Sequence, residues 1–291
     1  MEKLKVGFVS IVGRPNVGKS TLINNIVNQK ISIVTHKTNT TRNQIIGIFN
    51  DEDSQIIFID TPGYFQNSKS KLEQNMQTSI TNGLLGTDII LYLIPFYQNI
   101  NESIQGDFTL FKNQNAKKYL ILTKIDKAKS KNDLIVELGK IEDTKIFDKI
   151  IPISALSDNN VLCLIKEIKQ DLKNDVPYYD RNDAHVSSDY FIVAELIREK
   201  ILINLNNEVP HKIFVKTTDI EKKSKIISIR AEIYLDKTHH KKLVIGKDGQ
   251  KLKIIGQEAR LDLEKHFNKK IYLDLFVKVR KDWMNKESII T

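Results

Sequence analysis

The sequence has few of the residues that mark secreted or membrane-spanning proteins. Its 291 residues include one cysteine, Cys163, so no internal disulfide can form and a disulfide-stabilised secreted domain is excluded. The longest apolar run, Ile89–Phe96, is about half of the roughly 18–20 residues that a membrane span needs. The amino terminus lacks the apolar core of a signal peptide. These absences predict a cytoplasmic protein, with peripheral contact to the inner face of the cell membrane left open.

Positive charge is abundant, and it is unevenly distributed. The chain carries 45 Lys and Arg against 36 Asp and Glu, a net charge of +9. Residues 1–175 contain 22 basic and 19 acidic residues, whereas residues 176–291 contain 23 and 17. The stretch from Lys237 to Lys253 contains six lysines and one acidic residue, Asp248. This excess favours a polyanion partner for the C-terminal part, with a solvated lysine-rich surface as the alternative.

The pattern of apolar residues changes along the chain and predicts two domains. Residues 1–175 alternate strand-like runs with polar helical stretches, among them 70–82, 102–114, 131–141 and 159–173. This alternation predicts an α/β fold with a doubly wound, mostly parallel sheet. Residues 176–187 have no apolar periodicity and are predicted to be a linker. Residues 188–291 follow the order α-β-β-α-α-β, which predicts a separate α+β domain.

A phosphate-binding loop follows the first predicted strand. It matches G-x-x-x-x-G-K-[ST], in which the glycines let the backbone wrap a polyphosphate beside a helix N-terminus. Lys19 is expected to reach the β- and γ-phosphates, and Ser20 is expected to ligate Mg²⁺. The nucleotide-binding residues predicted here are Gly13, Arg14, Pro15, Asn16, Val17, Gly18, Lys19, Ser20 and Thr21.

Three further loops at strand ends complete the predicted nucleotide site. Asp60 ends a buried strand, where a carboxylate is costly unless it faces a cation such as Mg²⁺. Gly63 leaves the next peptide N–H free to approach a γ-phosphate. Guanine presents two donors that the Asp126 carboxylate can accept. The residues predicted in these loops are Asp60, Thr61, Pro62, Gly63, Thr123, Lys124, Asp126, Ser154, Ala155 and Leu156.

The C-terminal part contains a second glycine-rich turn, Gly246–Gly249, between an apolar run and a predicted helix. Such a turn can clamp a single-stranded nucleic-acid backbone while the bases lie in an aliphatic groove. A helix–turn–helix hairpin with a solvated basic face is the alternative. The RNA-binding residues predicted here are Lys241, Lys242, Ile245, Gly246, Lys247, Asp248, Gly249, Lys251, Lys253 and Ile255.

Together these motifs resemble a known family. GRPNVGKS, NTTRN, DTPG, TKID and SAL, followed by VIGKDGQKLKIIGQEAR and LFVKVRKDW, are similar to those of the bacterial Era family of ribosome-assembly GTPases. The resemblance implies a P-loop GTPase domain at 1–175 and a type II KH domain at 188–291. It also implies a GTP-hydrolysing switch, monomeric and using Mg²⁺, that binds the 3′ end of small-subunit ribosomal RNA and assists assembly of that subunit.

The resemblance also assigns roles in hydrolysis. Thr41, before Arg42, is implied to complete the metal ligands with Ser20 and Asp60, and Asn16 is implied to help hold a K⁺ ion against the phosphates. With Lys19 and Gly63, Thr41 and Asn16 make up the predicted catalytic set. Tyr64-Phe65 stand where many GTPases carry a water-orienting glutamine, so slow intrinsic turnover is expected.

One residue departs from the family pattern. The N-K-x-D motif begins here with Thr123, whose hydroxyl is expected to replace part of the bracing that an asparagine amide gives the phosphate loop.

Two other functions stay open. One is an RNA-binding module whose nucleotide domain binds without hydrolysing. The other is an adenine-nucleotide enzyme acting on nucleic acid, such as a kinase, against which Asp126 argues.

Overall fold

The computed structural model describes residues 4–35, 37, 40–63, 70–98, 106–111, 114–128, 146–155, 160–205 and 213–285. The chain forms two compact units. The first comprises Met1–Ser32, Thr41–Asn67 and Asn75–Val186, and the second comprises Ile33–Thr40, Ser68–Gln74 and Ser187–Thr291. The main division therefore falls after Val186, at the end of the segment predicted to be a linker.

Among the described residues, seven strands form the sheet of the first unit. They are β1 (Leu4–Val12), β2 (Ile45–Asn50), β3 (Ser54–Asp60), β4 (Ile89–Pro95), β5 (Lys117–Thr123), β6 (Lys149–Pro152) and β7 (Lys173–Asp175). Their order is β2-β3-β1-β4-β5-β6, with β7 paired to β1. Only β2 and β7 run antiparallel to their neighbours. The mostly parallel sheet predicted from the alternating pattern is confirmed.

Helices connect these strands and cover the sheet. In the described part of the chain they are α1 (Lys19–Ile26), α2 (Lys71–Leu84) and α3 (Val161–Asp171), with short 3₁₀ turns at Phe108–Leu110 and Ile125–Lys127. Every residue of β3 and β4 is buried, as expected for central parallel strands covered on both faces. In such sheets ligands bind beyond the carboxyl ends of the strands. The helix predicted at 131–141 and part of the one at 102–114 lie outside the described residues.

The single cysteine occupies a surface position, which the sequence pattern did not predict. The apolar residues around Cys163 in the sequence predict a buried thiol, yet Cys163 is exposed. The buried residues of α3 are Val161, Leu164, Ile165 and Ile168, which is the i, i+3, i+4, i+7 spacing of one helix face. Cys163 lies outside that face, beside the exposed Leu162.

The segment predicted to be a linker packs along the first unit. Gln55 is 0% exposed, and its Oε1 accepts hydrogen bonds from the backbone N–H groups of Tyr178 (2.7 Å) and Tyr179 (3.0 Å). Further along, the Ile48 N–H donates to the Ala184 carbonyl at 2.9 Å. The segment is therefore ordered, and its backbone groups form hydrogen bonds with Gln55 and with the outer edge of β2.

The second unit is an α+β domain with the predicted element order. It contains α4 (Asp189–Asn204), β8 (Ile213–Lys222), β9 (Ile226–Leu235), α5 (Thr238–Ile245), α6 (Gln250–Phe267) and β10 (Lys270–Val279). The sheet order is β10-β9-β8, with β10 parallel and β8 antiparallel to β9. Aliphatic residues of α4, α6 and the sheet form one buried core. Among the described helices, none is both long and apolar enough to cross a membrane.

Candidate nucleotide site and nucleic-acid interface

The phosphate-binding loop lies between the end of β1 and the start of α1. Gly13 and Gly18 have φ angles of 150° and 108°, which L side chains rarely adopt. A Cβ at Gly13 would lie 2.6 Å from the Leu93 carbonyl oxygen on β4. Glycine is therefore required where the loop passes the sheet. Asn16, at φ 62°, is exposed and Val17 is buried.

Lys19 is nearly buried at the first position of α1. Its Nζ donates to the carbonyl oxygens of Gly13 (2.9 Å) and Arg14 (3.0 Å). Burial lowers the pKa of Lys19 to about 8, and the Asp60 carboxylate opposes part of that shift. A nucleotide phosphate beside this ammonium would supply compensating negative charge, so the position of Lys19 fits its predicted role.

Ser20, Thr41 and Asp60 converge at the end of β3. Ser20 Oγ lies 2.8 Å from Thr41 Oγ1 and donates to Asp60 Oδ2 at 3.0 Å. Asp60 is 0% exposed, and its Oδ1 has no hydrogen-bond partner among the described residues. Burial raises the pKa of Asp60 to about 6, against the opposing influence of Lys19 and of hydrogen bonds from Ser32 and Ser20. A buried carboxylate with an unused oxygen beside two hydroxyl groups fits Mg²⁺, which prefers oxygen ligands.

The structure distinguishes Thr41 from the threonine before it. Thr40 Oγ1 lies 2.7 Å from Thr35 Oγ1 and donates to the Lys37 carbonyl at 2.6 Å. Its side chain is therefore held inside its own loop. Thr41, the residue chosen from the sequence, is the one that lies beside Ser20 and is buried there.

Ser32 also contacts Asp60, although no motif in the sequence includes it. Its side chain is 0% exposed, and its Oγ donates to Asp60 Oδ2 at 3.0 Å. Asn24 on α1 holds the backbone of Ser32, because Asn24 Oδ1 accepts from the Ser32 N–H at 2.9 Å and Asn24 Nδ2 donates to its carbonyl at 2.6 Å. An isolated serine in a polar loop carries no motif, so only the fold reveals this contact.

The D-T-P-G turn lies against the phosphate-binding loop. A Cβ at Gly63 would lie 2.8 Å from Pro15 Cγ and 3.0 Å from its backbone nitrogen, so only glycine permits this approach. Thr61 makes a structural contact. Its side chain is 0% exposed, and its hydroxyl donates to the Ile11 carbonyl at 2.8 Å. The Thr61 side chain therefore ties the turn to β1, and Pro62 is buried beside it.

The predicted base-binding residues meet beyond β5 and β6. Thr123 Oγ1 donates to the Val17 carbonyl at 2.6 Å, and Lys124 Nζ donates to the Asn16 carbonyl at 2.7 Å. Ser154 Oγ donates to Asp126 Oδ1 at 2.5 Å, which orients that carboxylate. Ala155 follows Ser154 and is partly exposed, whereas Leu156 lies outside the described residues.

Tyr97 adds an aromatic ring to this corner of the site. It is 55% exposed, its hydroxyl lies 3.5 Å from Lys124 Nζ, and its ring centroid lies 6.0 Å from the same nitrogen. Tyr97 belongs to none of the sequence motifs. The available signal was its position two residues after β4, at the sheet edge where the other motifs lie.

The glycine-rich turn of the second unit joins α5 to α6. Gly246 has φ 74° and Gly249 has φ 75°, and the non-glycine residue Asp248 also has a positive φ of 50°. A Cβ at Gly246 would lie 2.7 Å from the Lys251 Cβ, so the tight turn requires glycine there. Lys247 and Asp248 are exposed at its tip.

A groove of about 500 Å³ runs beside this turn, between α6 and β10. It is lined by Gly249, Leu252, Lys253, Gly256, Gln257, Arg260, Ile271, Tyr272, Leu273 and Leu275. Ile255, predicted in the groove wall, is 0% exposed and lies in the core, so that prediction is corrected. The buried face of α6 is Ile255, Ala259 and Leu263, and helical spacing therefore turns Leu252, Gly256 and Arg260 to the groove. Ile245 is partly buried and is not among the lining residues.

Lysines surround the turn as the charge pattern predicted. Lys242, Lys247 and Lys253 are exposed, and Lys241 and Lys251 are partly exposed. Of these, Lys253 lines the groove itself, where Arg260 adds a second positive charge that the sequence analysis did not single out. The arrangement presents a cationic border to an aliphatic groove, which suits a single-stranded nucleic acid.

Comparison with known proteins agrees with both halves of this description. The family model described as 50S ribosome-binding GTPase matches residues 8–129, and the KH domain model matches residues 208–284. GTPase Era from Alkaliphilus metalliredigens is 40% identical over 289 residues, covering 98% of this chain and 97% of the relative. GTPase Era from Alkaliphilus oremlandii is 42% identical over 288 residues with the same coverage.

The chain belongs to the GTPase Era family. It is therefore a GTPase, and the P-loop and KH architecture inferred from the motifs is confirmed. A crystal structure of a variant of Aquifex aeolicus Era bound to GDP·AlF₄⁻ matches with a TM-score of 0.96 at 34% identity, covering 99% of this chain and 98% of that one.

A second Era structure contains nucleotide and RNA together. It holds MgGDPNP and nucleotides 1506–1542 of 16S ribosomal RNA, and it matches with a TM-score of 0.95 at 34% identity, covering 99% of this chain and 97% of that one. Both solved relatives are similar over nearly the full length of the chain.

Proposed function

We propose that this Era-family GTPase is a switch in which Mg²⁺·GTP, held by the first unit, controls binding of the 3′ end of small-subunit ribosomal RNA by the second. The convergence of Lys19, Ser20, Thr41 and Asp60 carries the nucleotide half of the proposal. Lys19 binds the phosphates, and Ser20, Thr41 and Asp60 hold the metal, whose charge offsets that of the phosphates.

Phosphate release in a single turnover tests the hydrolytic part. The full chain with Mg²⁺ is expected to release phosphate, whereas the Lys19→Ala variant is expected to release none. Lys166→Ala is the matched control, because Lys166 is an exposed lysine of α3 remote from the site in sequence. Nucleotide binding without phosphate release would favour the alternative of an RNA-binding module with a non-hydrolysing nucleotide domain.

Guanine is the proposed base because Asp126 presents an oriented carboxylate. Ser154 fixes one carboxylate oxygen, and Lys124 is tied to the phosphate loop, so its stem borders the expected position of the ring. Competition between GTP and ATP for the labelled-GDP site tests this. We expect GTP alone to compete at micromolar concentration, and equal competition by ATP would contradict the assignment.

We further propose that a K⁺ ion beside Asn16 assists hydrolysis. Asn16 lies exposed in the phosphate loop at φ 62°, and no glutamine occupies positions 64 and 65. Replacement of K⁺ by Na⁺ is expected to slow turnover without a matching loss of GDP affinity. Equal turnover in the two salts would exclude this role for Asn16.

The RNA half of the proposal is supported by the groove between α6 and β10. Its aliphatic lining, the positive charges of Lys253 and Arg260 and the adjoining glycine-rich turn suit a single strand. The similar Era structure with 16S ribosomal RNA supports the choice of the small-subunit 3′ end. Binding of that oligonucleotide should weaken steeply with salt. A scrambled oligonucleotide, and isolated small and large ribosomal subunits, provide the specificity controls.

Coupling between the two activities is supported by the segment between Ser32 and Thr41. Those two residues belong to the first unit, whereas Ile33–Thr40 belongs to the second. Within the second unit the Val34 N–H donates to Glu199 Oε1 at 3.0 Å. Because the loop is covalently continuous with metal-site residues at both ends, nucleotide exchange is expected to change the state of the second unit.

The cellular setting is part of the same proposal. We assign the chain to the cytoplasm, as a monomer that meets the small ribosomal subunit, on the basis of its family and of its RNA groove. The basic surface around the glycine-rich turn also supports peripheral contact with the anionic inner face of the cell membrane. Sedimentation with anionic and with neutral vesicles, in the presence and absence of RNA, tests that contact.

A further inference from the structure

Arg14, the second residue of the phosphate-binding loop, is paired with a carboxylate far away in sequence. Arg14 Nε lies 2.7 Å from Asp107 Oδ2, and Arg14 Nη2 lies 3.1 Å from Asp107 Oδ1. The two bonds form the bidentate arrangement that arginine makes with a carboxylate. The Asp107 side chain is 0% exposed, whereas that of Arg14 is 28% exposed. The buried carboxylate is thus the fixed partner, and the loop residue reaches to it.

Asp107 is itself held in a packed environment. Tyr92, on β4, donates its hydroxyl to Asp107 Oδ2 at 2.9 Å. The two aromatic residues that follow Asp107, Phe108 and Phe111, pack against the Tyr92 ring with centroid distances of 5.3 and 5.4 Å, and both are buried. Asp107 therefore rests on a rigid part of the core, which suits an anchor for a neighbouring loop.

We propose that Asp107 is a positioning residue of the nucleotide site, which acts by holding Arg14 and thereby the Gly13–Asn16 half of the phosphate-binding loop in its phosphate-wrapping shape. Arg14 takes part through its backbone, since its carbonyl oxygen accepts from Lys19 Nζ at 3.0 Å. The Arg14 guanidinium makes two hydrogen bonds to Asp107, so the proposed part of Arg14 in nucleotide binding is through its backbone. This role is separate from the metal site and from the base site.

The geometry predicts which kinetic quantity responds. Arg14 supports Lys19 through its backbone carbonyl, and Lys19 is expected to bind the phosphates both before and during hydrolysis. We therefore expect loss of the Asp107 anchor to weaken binding of the ground state and of the transition state by similar amounts. Loss of such uniform binding raises KM and leaves kcat nearly unchanged. A general loss of stability, by contrast, lowers the fraction of folded chain, so the apparent kcat falls while KM stays unchanged.

The test uses the full chain with Asp107→Asn, which keeps the shape of the side chain but removes its charge. We expect the Kd for labelled GDP and the KM for GTP to rise about tenfold, with kcat within about threefold of the parent value. Arg14→Lys keeps a positive charge but cannot make both bonds, so an intermediate loss is expected. In the double variant the second change is expected to add little.

Asp171→Asn is the matched control. Asp171 is a poorly exposed carboxylate of the same unit that likewise accepts from a tyrosine hydroxyl, that of Tyr119, and from a cation, Lys117 Nζ, at 2.6 Å. It lies beside the amino-terminal end of β5, opposite the nucleotide site. Its replacement is expected to lower the unfolding temperature and to leave the Kd for GDP within about twofold.

The proposal is overturned if Asp107→Asn binds GDP like the parent chain. It is also overturned if Asp107→Asn and the control Asp171→Asn lose GDP affinity in the same proportion to their loss of stability. Additive effects of Asp107→Asn and Arg14→Lys would also overturn it. Should Asp107→Asn fail to fold, Arg14→Lys and Tyr92→Phe are measured instead. Arg14→Lys is then expected to raise KM without loss of kcat, and Tyr92→Phe is expected to raise KM by a smaller factor. An unchanged KM in both variants would contradict the role of Asp107.

Discussion

The Thr123 hydroxyl donates to the Val17 carbonyl at 2.6 Å and thereby joins the end of β5 to the phosphate-binding loop. The same hydroxyl lies 3.2 Å from the Ile94 carbonyl. In the family pattern an asparagine amide stands at this position. A threonine has no amide to reach the edge of a base, but its hydroxyl makes the brace that the loop needs. The departure from the N-K-x-D motif therefore leaves the loop supported.

Removal of that hydroxyl is expected to weaken nucleotide binding. Thr123→Val keeps the shape of the side chain but leaves the buried Val17 carbonyl without this donor, which costs about 1 kcal/mol, or about fivefold in the Kd for GDP. Thr123→Ser is the control, because it retains the hydroxyl. Equilibrium titration with labelled GDP measures both variants, and equal affinity in Thr123→Val and the parent would contradict the bracing role.

Ser32→Ala is expected to raise the Mg²⁺ requirement. Ser32 Oγ donates to Asp60 Oδ2, so its loss leaves that carboxylate less firmly oriented toward the metal. We expect the Mg²⁺ concentration for half-maximal GDP retention to rise about threefold, as one hydrogen bond of modest strength predicts. Ser10→Ala is matched to it, since Ser10 is also 0% exposed but donates to the Gly83 carbonyl. The same Mg²⁺ requirement in both variants would exclude a role for Ser32.

Acid is expected to weaken the first unit through Asp171. Burial alone would raise the pKa of Asp171, but hydrogen bonds from Lys117, Tyr119 and Lys149 outweigh it and lower the pKa to about 2. A carboxyl group whose folded-state pKa is depressed stabilises the protein above its ordinary pKa, and this stability is lost as pH falls from about 4 to about 2. Denaturant unfolding at several pH values should show a shallower acid slope in Asp171→Asn, and an unchanged slope would contradict this assignment.

Gly256→Ala is expected to affect RNA binding and stability in opposite directions. Gly256 lies within α6, where alanine favours the helix by up to about 1 kcal/mol. A Cβ there would meet Leu275 Cδ1 at an ordinary 3.6 Å, so the substitution fits while it narrows the groove. We expect an unfolding temperature equal to or above that of the parent, weaker binding of the RNA 3′-end oligonucleotide and unchanged GDP affinity. Undiminished RNA binding in both Gly256→Ala and the bulkier Gly256→Leu would exclude this groove as the RNA site.

The parts of the fold that could be predicted are those in which local pattern and tertiary environment agree. The buried strand Ser54–Asp60 contains the apolar run Ile56–Ile59 and ends at the D-T-P-G turn, and the buried strand Ile89–Pro95 is apolar throughout. Both the sheet and part of its ligand edge could therefore be inferred. Ile255 shows where this reasoning fails. Both it and Gly256 follow the glycine-rich turn, and only the packing of α6 on the sheet determines which of them faces the groove.

The unpredicted site residues share a different property, because each acts through a partner that is remote in sequence. Asp107 lies 93 positions from Arg14, and Ser32 lies 28 positions from Asp60. Neither stands in a recognisable motif, and no periodicity points to them. The ordered packing of residues 176–187 could not be predicted for the same reason, because the hydrogen bonds of this segment go to Gln55 and to the edge of β2.

Nucleotide binding and RNA binding are proposed to be linked in this chain, and reciprocal affinity measurements on the full chain test that linkage. The Kd for a 16S ribosomal RNA 3′-end oligonucleotide is measured with GDP and with a non-hydrolysable GTP analogue, and the Kd for each nucleotide is measured with and without the RNA. Because coupling of binding is mutual, we expect RNA to change the preference for the GTP analogue over GDP by the same factor as the nucleotide changes RNA affinity. Equal RNA affinity in both nucleotide states, with no effect of RNA on either nucleotide, would contradict it.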